Sequence, residues 1–397
     1  MKTHEAIKKT DQYVLKTYGR RPLAFENGSG ANVFDLEGNE YLDFNSGLGV
    51  NALGHAHPEV SRLIKEQADK VIHTSNLYSI ASQAQLAEKM CANSFGERVF
   101  FCNSGAEAVE GAIKFARKWG KSLEQPKKDI VAFENSFHGR TYGALSATMQ
   151  DKYRKGFEPL LDGFAKAVFN DISSVERVVT PMTVAVIIEP LQGEGGVNVA
   201  DPDFMRDLQI LCTKNNMLLI VDEVQCGMGR TGKLFAHQHY DVTPDIMTLA
   251  KPIAGGLPIG AVVTGSRVWP VIQPGDHAST FGGNHFVTGV ACGVFDILAD
   301  DGFLADVVDK GSYLMTKLEA LAEKYDAIRD VRGLGLMSAV QVDFPAMEAM
   351  VYFEEHHILI CPAGPEVIRF LPPLIVSKDE IDRVVDLLDT YLGERLG

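Results

Sequence analysis

Short apolar runs, each broken off at a polar or glycine-rich turn, constrain the fold of this chain more than any other feature. They lie at 98–102, 129–133, 184–188, 217–222, 245–249 and 259–264. Runs of this length, bounded by turns, read as strands buried on both faces, and the segments between several of them carry helical periodicity. Strand alternating with helix predicts an α/β fold with a mostly parallel sheet covered by helices. Such sheets place ligands outside the carboxyl ends of their strands. The residues just after each run are therefore the ones to read for chemistry.

The flanks follow other patterns. ANVFDL at 31–36 and EYLDF at 40–44 alternate apolar and polar residues around Gly38 and Asn39, which predicts a hairpin. Pro58 suits the first turn of a helix, and a second helix is expected from about Ser82 to Ala92. Beyond about Phe286 two helices lead to short strands around VRGLGLM at 331–337, and a closing helix is expected at 378–394. A length of 397 residues exceeds what one small core needs. The expected division is an N-terminal segment 1–55 belonging to a small domain, a large domain 56–290, and a C-terminal α+β small domain 291–397.

A formal net charge of −14 argues against a nucleic-acid partner, because phosphate neutralisation needs a basic surface. The six cysteines are scattered without a CxxC pair, so neither a zinc site nor a disulfide framework is expected. No apolar stretch is long enough to span a bilayer, and the first residues lack the apolar core of a signal peptide. A cytoplasmic protein with no membrane partner is the expectation.

The run 217–221 leads into Asp222, Glu223, Val224 and Gln225, and Lys251 follows the run 245–249, just before the turn AGGLPIG at 254–260. An acid at a strand end and a lysine beside a tight turn are two parts that pyridoxal phosphate chemistry needs: the acid keeps the pyridine nitrogen protonated, and the amine forms a Schiff base. NSGAEAVEGAIK at 103–114 opens a helix after a strand, so its free amides and dipole make an anion site, with Ser104 adding a hydroxyl and Gly105 permitting close approach. Alone, it reads better as an ordinary capped helix. In FENSFHGRT at 133–141, Phe137 or His138 offers a flat face for a planar ring, and Arg140 suits a carboxylate. The glycines around Glu194 in IEPLQGEGG at 188–196 fit a tight loop near a ligand, and equally a surface turn. STFGGN at 279–284 offers hydroxyls to a phosphate, or is a small-residue turn. Arg369, inside the apolar run VIRFLPP at 367–373, needs either a structural acid or a substrate carboxylate.

NSGAEAVE, FHGRT, EPLQGEGG, DEVQCGMGRTG, KPIAGGLPIGA and STFGGN stand in the order found in class III, pyridoxal-phosphate-dependent aminotransferases of fold type I, and the chain resembles that family over nearly its whole length. VNALGHAHPE, DEVQCGMGRTG and VIRFLPPL carry a finer resemblance to its acetylornithine branch. The resemblance implies a large domain with a mostly parallel seven-stranded sheet, a smaller α+β domain, and a homodimer with shared active sites. It implies transfer of an amino group from a small-molecule donor, N2-acetylornithine, to 2-oxoglutarate. Lys251 would be the Schiff-base lysine and proton shuttle, Asp222 the partner of the pyridine nitrogen, and Gln225 the neighbour of the ring hydroxyl. Gly105 and Ala106 would bind phosphate, helped by Ser104, and Phe137 would stack on the ring, with His138, Glu223 and Val224 also against the cofactor. Thr280 would reach the phosphate in the neighbouring subunit, with Ser279 near the substrate. Arg140 and Arg369 would take substrate carboxylates, and Glu194 would neutralise Arg369 when the substrate carries none there. Ala106 stands where many relatives have threonine, and Pro252 where several have a small residue.

Ornithine, succinylornithine or 4-aminobutyrate aminotransferases are the nearest alternatives. Leu48 stands near where ornithine aminotransferases tend to carry a tyrosine, which favours an acylated donor. A catalytically silent protein of the same fold would be expected to lack the lysine or the aspartate, and both are present.

Overall fold

The computed structural model describes residues 1–396. Its centre is a seven-stranded sheet in the order 98–102, 260–264, 246–249, 218–222, 183–188, 129–133, 164–167. The pairings 246–249 with 218–222, 218–222 with 183–188, 183–188 with 129–133, and 129–133 with 164–167 are parallel. Gly260–Thr264 alone runs against both its neighbours. The six runs singled out in the sequence are strands to within one residue at each end. The seventh, Phe164–Ala167, is a four-residue edge strand with only Ala167 buried, so it lacks the continuous apolar signal of the others.

Every residue of Leu218–Asp222 and Thr183–Ile188 is buried. Successive side chains alternate between two cores. Ala185, Ile187, Leu218, Ile220 and Val262 pack beneath the helix Gly105–Ser122, on Ala108, Val109, Ala112, Ile113 and Ala116. Val186, Ile188, Leu219 and Val221 face the other way, toward Phe204, Met205 and Leu208 of the helix Pro202–Lys214. A sheet covered on both faces has no polar side, which is why its strands read as solid apolar runs rather than alternations.

The hairpin expected near the N-terminus forms between Asn32–Asp35 and Glu40–Asp43. It gains Phe25–Ser29 on one side and, in parallel, Ile358–Leu359 from far along the chain on the other. Helices His285–Leu298 and Asp301–Lys324 lead to an antiparallel sheet of 328–334, 337–342, 367–370 and 361–362, closed by the helix Lys378–Leu396. Among the described residues no helix is long and apolar enough to cross a membrane.

Candidate active site

The carboxyl ends of the parallel strands converge on a cavity of about 380 Å³, within the span of about 300–1,000 Å³ usual for small-molecule sites. Ser104, Gly105, Ala106, Phe137, His138, Arg140, Glu194, Asp222, Val224, Gln225 and Lys251 all line it. Residues from Ser104 to Lys251 are thus brought together at one sheet edge.

Asp222 ends its strand buried among three donors and partners. Its Oδ2 lies 2.7 Å from His138 Nδ1, and its Oδ1 accepts from Thr248 Oγ1 at 2.9 Å and from Val224 N at 3.1 Å. Burial works against a charged His138, but the hydrogen bond and charge of Asp222 prevail and raise its pKa. His138 Nε2 is buried with no hydrogen-bond partner. His138 is held edge-on to the aspartate rather than free to stack; Phe137 is the flat face that remains.

Lys251 begins a short 3-10 turn with φ +40°, a left-handed conformation that costs a non-glycine residue energy and is typically kept only where the surroundings fix it. Burial brings its pKa down to about 8, with Arg369 adding to the depression and Glu194 opposing it. Near neutral pH a lysine so placed carries a usable neutral amine fraction.

At the N-terminus of the helix Gly105–Ser122, Ser104 is the cap and accepts from Glu107 N at 3.2 Å, while Glu107 reaches back to Asn103 N at 2.5 Å. The capped-helix reading is thus correct, and it coexists with an open anion site. A Cβ on Gly105 would come within 2.6 Å of Val224 Cγ1, and one on Gly139 within 2.9 Å of Ala106 Cβ. Only glycine fits at these two positions beside the helix end.

Arg369 is fully buried, yet its Nη1 meets Glu194 Oε1 at 2.7 Å and Gln225 Oε1 at 3.0 Å. Gln225 Nε2 in turn donates to Glu194 Oε1 at 3.3 Å. Burial pushes the carboxyl pKa of Glu194 up, but the charges of Arg369 and Lys251 and the hydrogen bonds from Arg369 and Gln225 together outweigh it and leave the group below the usual range. The open question about Arg369 has a definite answer in this state: its partner is Glu194.

Two expected contacts are placed elsewhere. Glu223 does not face the cavity. It accepts from Ala236 N at 2.5 Å and His237 N at 2.8 Å, and lies 2.7 Å from His237 Nδ1, so its carboxylate is a buried cap for the turn 236–239. Strand alternation accounts for this correction: consecutive residues at a strand end point to opposite faces. Thr280 is exposed and does not line the cavity of its own chain, while Ser279 Oγ accepts from Asn103 Nδ2 at 3.1 Å at the cavity's edge.

Sequence reasoning passed over Glu189, which also lines the cavity. Its Oε2 accepts from Phe137 N at 2.9 Å and its Oε1 from Gly193 N at 3.3 Å. Burial pushes its pKa up to about 7, against the pull of His138. The acid directly before Pro190, at the end of an apolar strand, was the available signal; the glycines beyond it drew the reading to Glu194. Thr248 was missed because it is a single polar residue inside a strand.

The cavity suits a planar, anionic cofactor. A helix end opening on Ser104, Gly105 and Ala106 would meet the anion, the Phe137 ring and the Val224 side chain also line the cavity, and a buried aspartate and a lysine of lowered pKa sit at the same edge.

Comparison with known proteins agrees with this chemistry. The sequence model of the family described as aminotransferase class-III matches residues 13–392. A protein of Methanocaldococcus jannaschii named acetylornithine aminotransferase is 47% identical over 384 residues, 96% of each chain. One of the same name from Caldanaerobacter subterraneus is 47% identical over 385 residues, 96% of this chain and 98% of the other. Among solved structures, the ornithine aminotransferase of Toxoplasma gondii superposes with a TM-score of 0.94 at 33% identity, covering 98% of this chain and 94% of that one. The N-acetylornithine aminotransferase of Stenotrophomonas maltophilia gives 0.85 at 35% identity, covering 98% and 99%. With motifs, cavity and whole-length similarity in agreement, the chain belongs to the class-III aminotransferases.

Proposed function

We propose that this pyridoxal-phosphate-dependent aminotransferase moves the terminal amino group of N2-acetylornithine to 2-oxoglutarate, giving N-acetylglutamate 5-semialdehyde and glutamate. Pyridoxal phosphate, when bound, supplies an electron-accepting ring and a carbonyl that takes up and returns the amino group. The residues around it divide the remaining work. The amides of Gly105 and Ala106 and the hydroxyl of Ser104 would hold the phosphate at the helix end. Asp222, oriented by Thr248 Oγ1 and the Val224 amide and supported by His138, would keep a proton on the ring nitrogen. Lys251 would hold the cofactor's carbonyl, and its lowered pKa suits it to move a proton there. Gln225 would neighbour the ring hydroxyl.

The observation that carries the reading is the Glu194–Arg369 pair at 2.7 Å, tied to Gln225 beside Lys251. Glutamate presents a carboxylate next to its amine, and a terminal amine does not. An arginine for the first is an unpaired buried charge for the second, at a cost of roughly 3–5 kcal/mol by analogy with broken buried pairs. Glu194 removes that cost and swings aside for glutamate. Arg140, which also lines the cavity, takes the donor's α-carboxylate. Among the relatives that share 44–47% identity over most of the chain, the name acetylornithine aminotransferase supports this donor. The Toxoplasma likeness keeps unacylated ornithine as the second reading.

The same reading includes a cytoplasmic homodimer, with the segments 1–55 and 291–397 forming the small domain beside a large domain of 56–290. Ile72, Leu77, Tyr78 and Phe281 expose apolar surface next to Thr280. That strip is where the partner would sit, with Thr280 reaching its phosphate.

The test follows each half-reaction alone by stopped-flow absorbance of the cofactor. Glu194→Ala should slow the N-acetylornithine half about a hundredfold or more, the equivalent of a lost buried pair, and spare glutamate. Arg369→Ala should do the reverse. Equal losses in both halves would make Glu194 a structural acid. Ornithine outpacing N-acetylornithine on the wild type would replace the donor.

A further inference from the structure

We propose that Tyr153 is a positioning residue for donor binding, holding Arg140 and Phe137 in the orientations the cavity needs. The inference rests on the reading of Arg140 as the carboxylate site.

Arg140 is exposed at the cavity's edge and has neither a hydrogen bond nor an ion pair among the described residues. A long side chain without polar anchors would ordinarily wander, losing rotamer freedom only on binding. Here its guanidinium carbon lies 3.9 Å from the centroid of the Tyr153 ring, and 5.5 Å from that of Phe137. Stacking on an aromatic face restrains the guanidinium while leaving all five N–H donors in its plane unused. An acid in the same place would restrain it too, but would occupy the fork that the substrate carboxylate must enter. The same Tyr153 ring meets Phe137 edge to face, with centroids 5.5 Å apart and planes at 80°. One side chain, itself outside the cavity lining, therefore touches both the ring-facing aromatic and the carboxylate-facing cation.

The backbone makes this contact rigid. Tyr153 stands on the single turn Asp151–Arg154. Just before it, Gln150 Nε2 donates to Asn135 O at 2.9 Å and to Ser136 O at 3.3 Å, and Met149 N donates to Ser136 Oγ at 3.2 Å. Ser136 Oγ donates to Ala147 O at 3.2 Å, and His138 N to Thr148 Oγ1 at 2.9 Å. The loop bearing Phe137 and Arg140 is zipped to the segment that presents Tyr153. Lys152 Nζ also lies 4.7 Å from the Tyr153 centroid, but Lys152 does not line the cavity, so it serves as a control.

The probe is N-acetylnorvaline, which keeps the donor's carboxylate and acetamido group and lacks the reacting amine. Its binding to holoenzyme is measured by titration calorimetry, alongside KM and kcat for N-acetylornithine. Arg140→Ala should weaken the probe. Tyr153→Leu and Tyr153→Met should each weaken it about five- to twentyfold, raise KM similarly and leave kcat within about twofold. Tyr153→Phe should restore wild-type binding, and Lys152→Ala should change nothing. In the Arg140→Ala background, Tyr153→Leu should cost no more than Arg140→Ala alone. Wild-type probe binding by folded Tyr153→Leu or Tyr153→Met, or additive losses in the double variant, would overturn the proposal while leaving Arg140 in place. Unchanged binding by Arg140→Ala would instead remove the carboxylate reading, and the proposal with it.

Discussion

At the scale of single residues, His138, Glu189, Glu194, Lys251 and Arg369 are moved off their ordinary values by burial and by one another. Lys251 gives a prediction with a definite sign. Its amine titrates near 8 in the fold and at about 10.5 when unfolded. Between these values the unfolded chain binds the extra proton, so stability rises with pH there, and the full penalty for a buried charge stands below pH 8. Cofactor-free Lys251→Met should therefore melt higher than cofactor-free wild type at pH 7, by an amount on the order of 1–3 kcal/mol. The gap should close as pH approaches about 10.5; thermal melts from pH 6 to 10 check this, and a gap independent of pH would contradict it. Glu194→Ala should lower stability as well as selectivity, by roughly 3–5 kcal/mol if no water replaces the carboxylate, since Arg369 would keep only Gln225 and Cys361. Denaturant titration measures that loss.

At the scale of elements, the helix Gly105–Ser122 does two jobs at one end. Gly105→Ala adds a methyl against Val224 at 2.6 Å, so either the helix start or the strand-end turn must shift. The expected stability loss is about 1–3 kcal/mol, as for an overpacked site, and cofactor affinity should fall by at least about tenfold, because the displaced amides meet the anion directly. Cofactor titration followed by absorbance would detect it; unchanged affinity would place the phosphate elsewhere. The element scale is also where the sequence was most readable. Solid apolar runs marked six of the seven central strands because both sheet faces are covered. Phe164–Ala167 escaped notice as a short edge, and Phe25–Ser29 because its residues are largely exposed. The candidate site was legible wherever a residue belonged to a run of motif: Asp222, Lys251, Gln225 and the helix end are all at one cavity. Glu223 was misplaced because a motif letter carries no direction. Glu189 was overlooked because the glycines after it drew attention to Glu194, and Thr248 and Tyr153 because each is a single polar or aromatic residue whose contacts with Asp222, Arg140 and Phe137 leave no local pattern.

At the scale of the whole molecule, the exposed strip beside Thr280 is the surface on which the proposed dimer can be tested. Asn76 Nδ2 donates to Ser279 O and Gly282 O, at 3.1 and 2.9 Å, so the segment carrying Leu77 and Tyr78 is locked to the one carrying Thr280 and Phe281. Wild-type protein should sediment as a dimer. Leu77→Asp combined with Phe281→Asp should shift it toward monomer and reduce cofactor retention together with activity. A monomeric wild type of full activity would refute the shared site.

Glu189 has a consequence for anyone who would retune this protein. One carboxylate grips the amide of Phe137 and the amide of Gly193, which precedes Glu194 by a single residue. Both loops are thus anchored to one side chain. Libraries that vary 193–196 in search of new amine donors will therefore recover variants whose colour has drifted along with their selectivity, and the two traits will separate only in clones that also alter position 189.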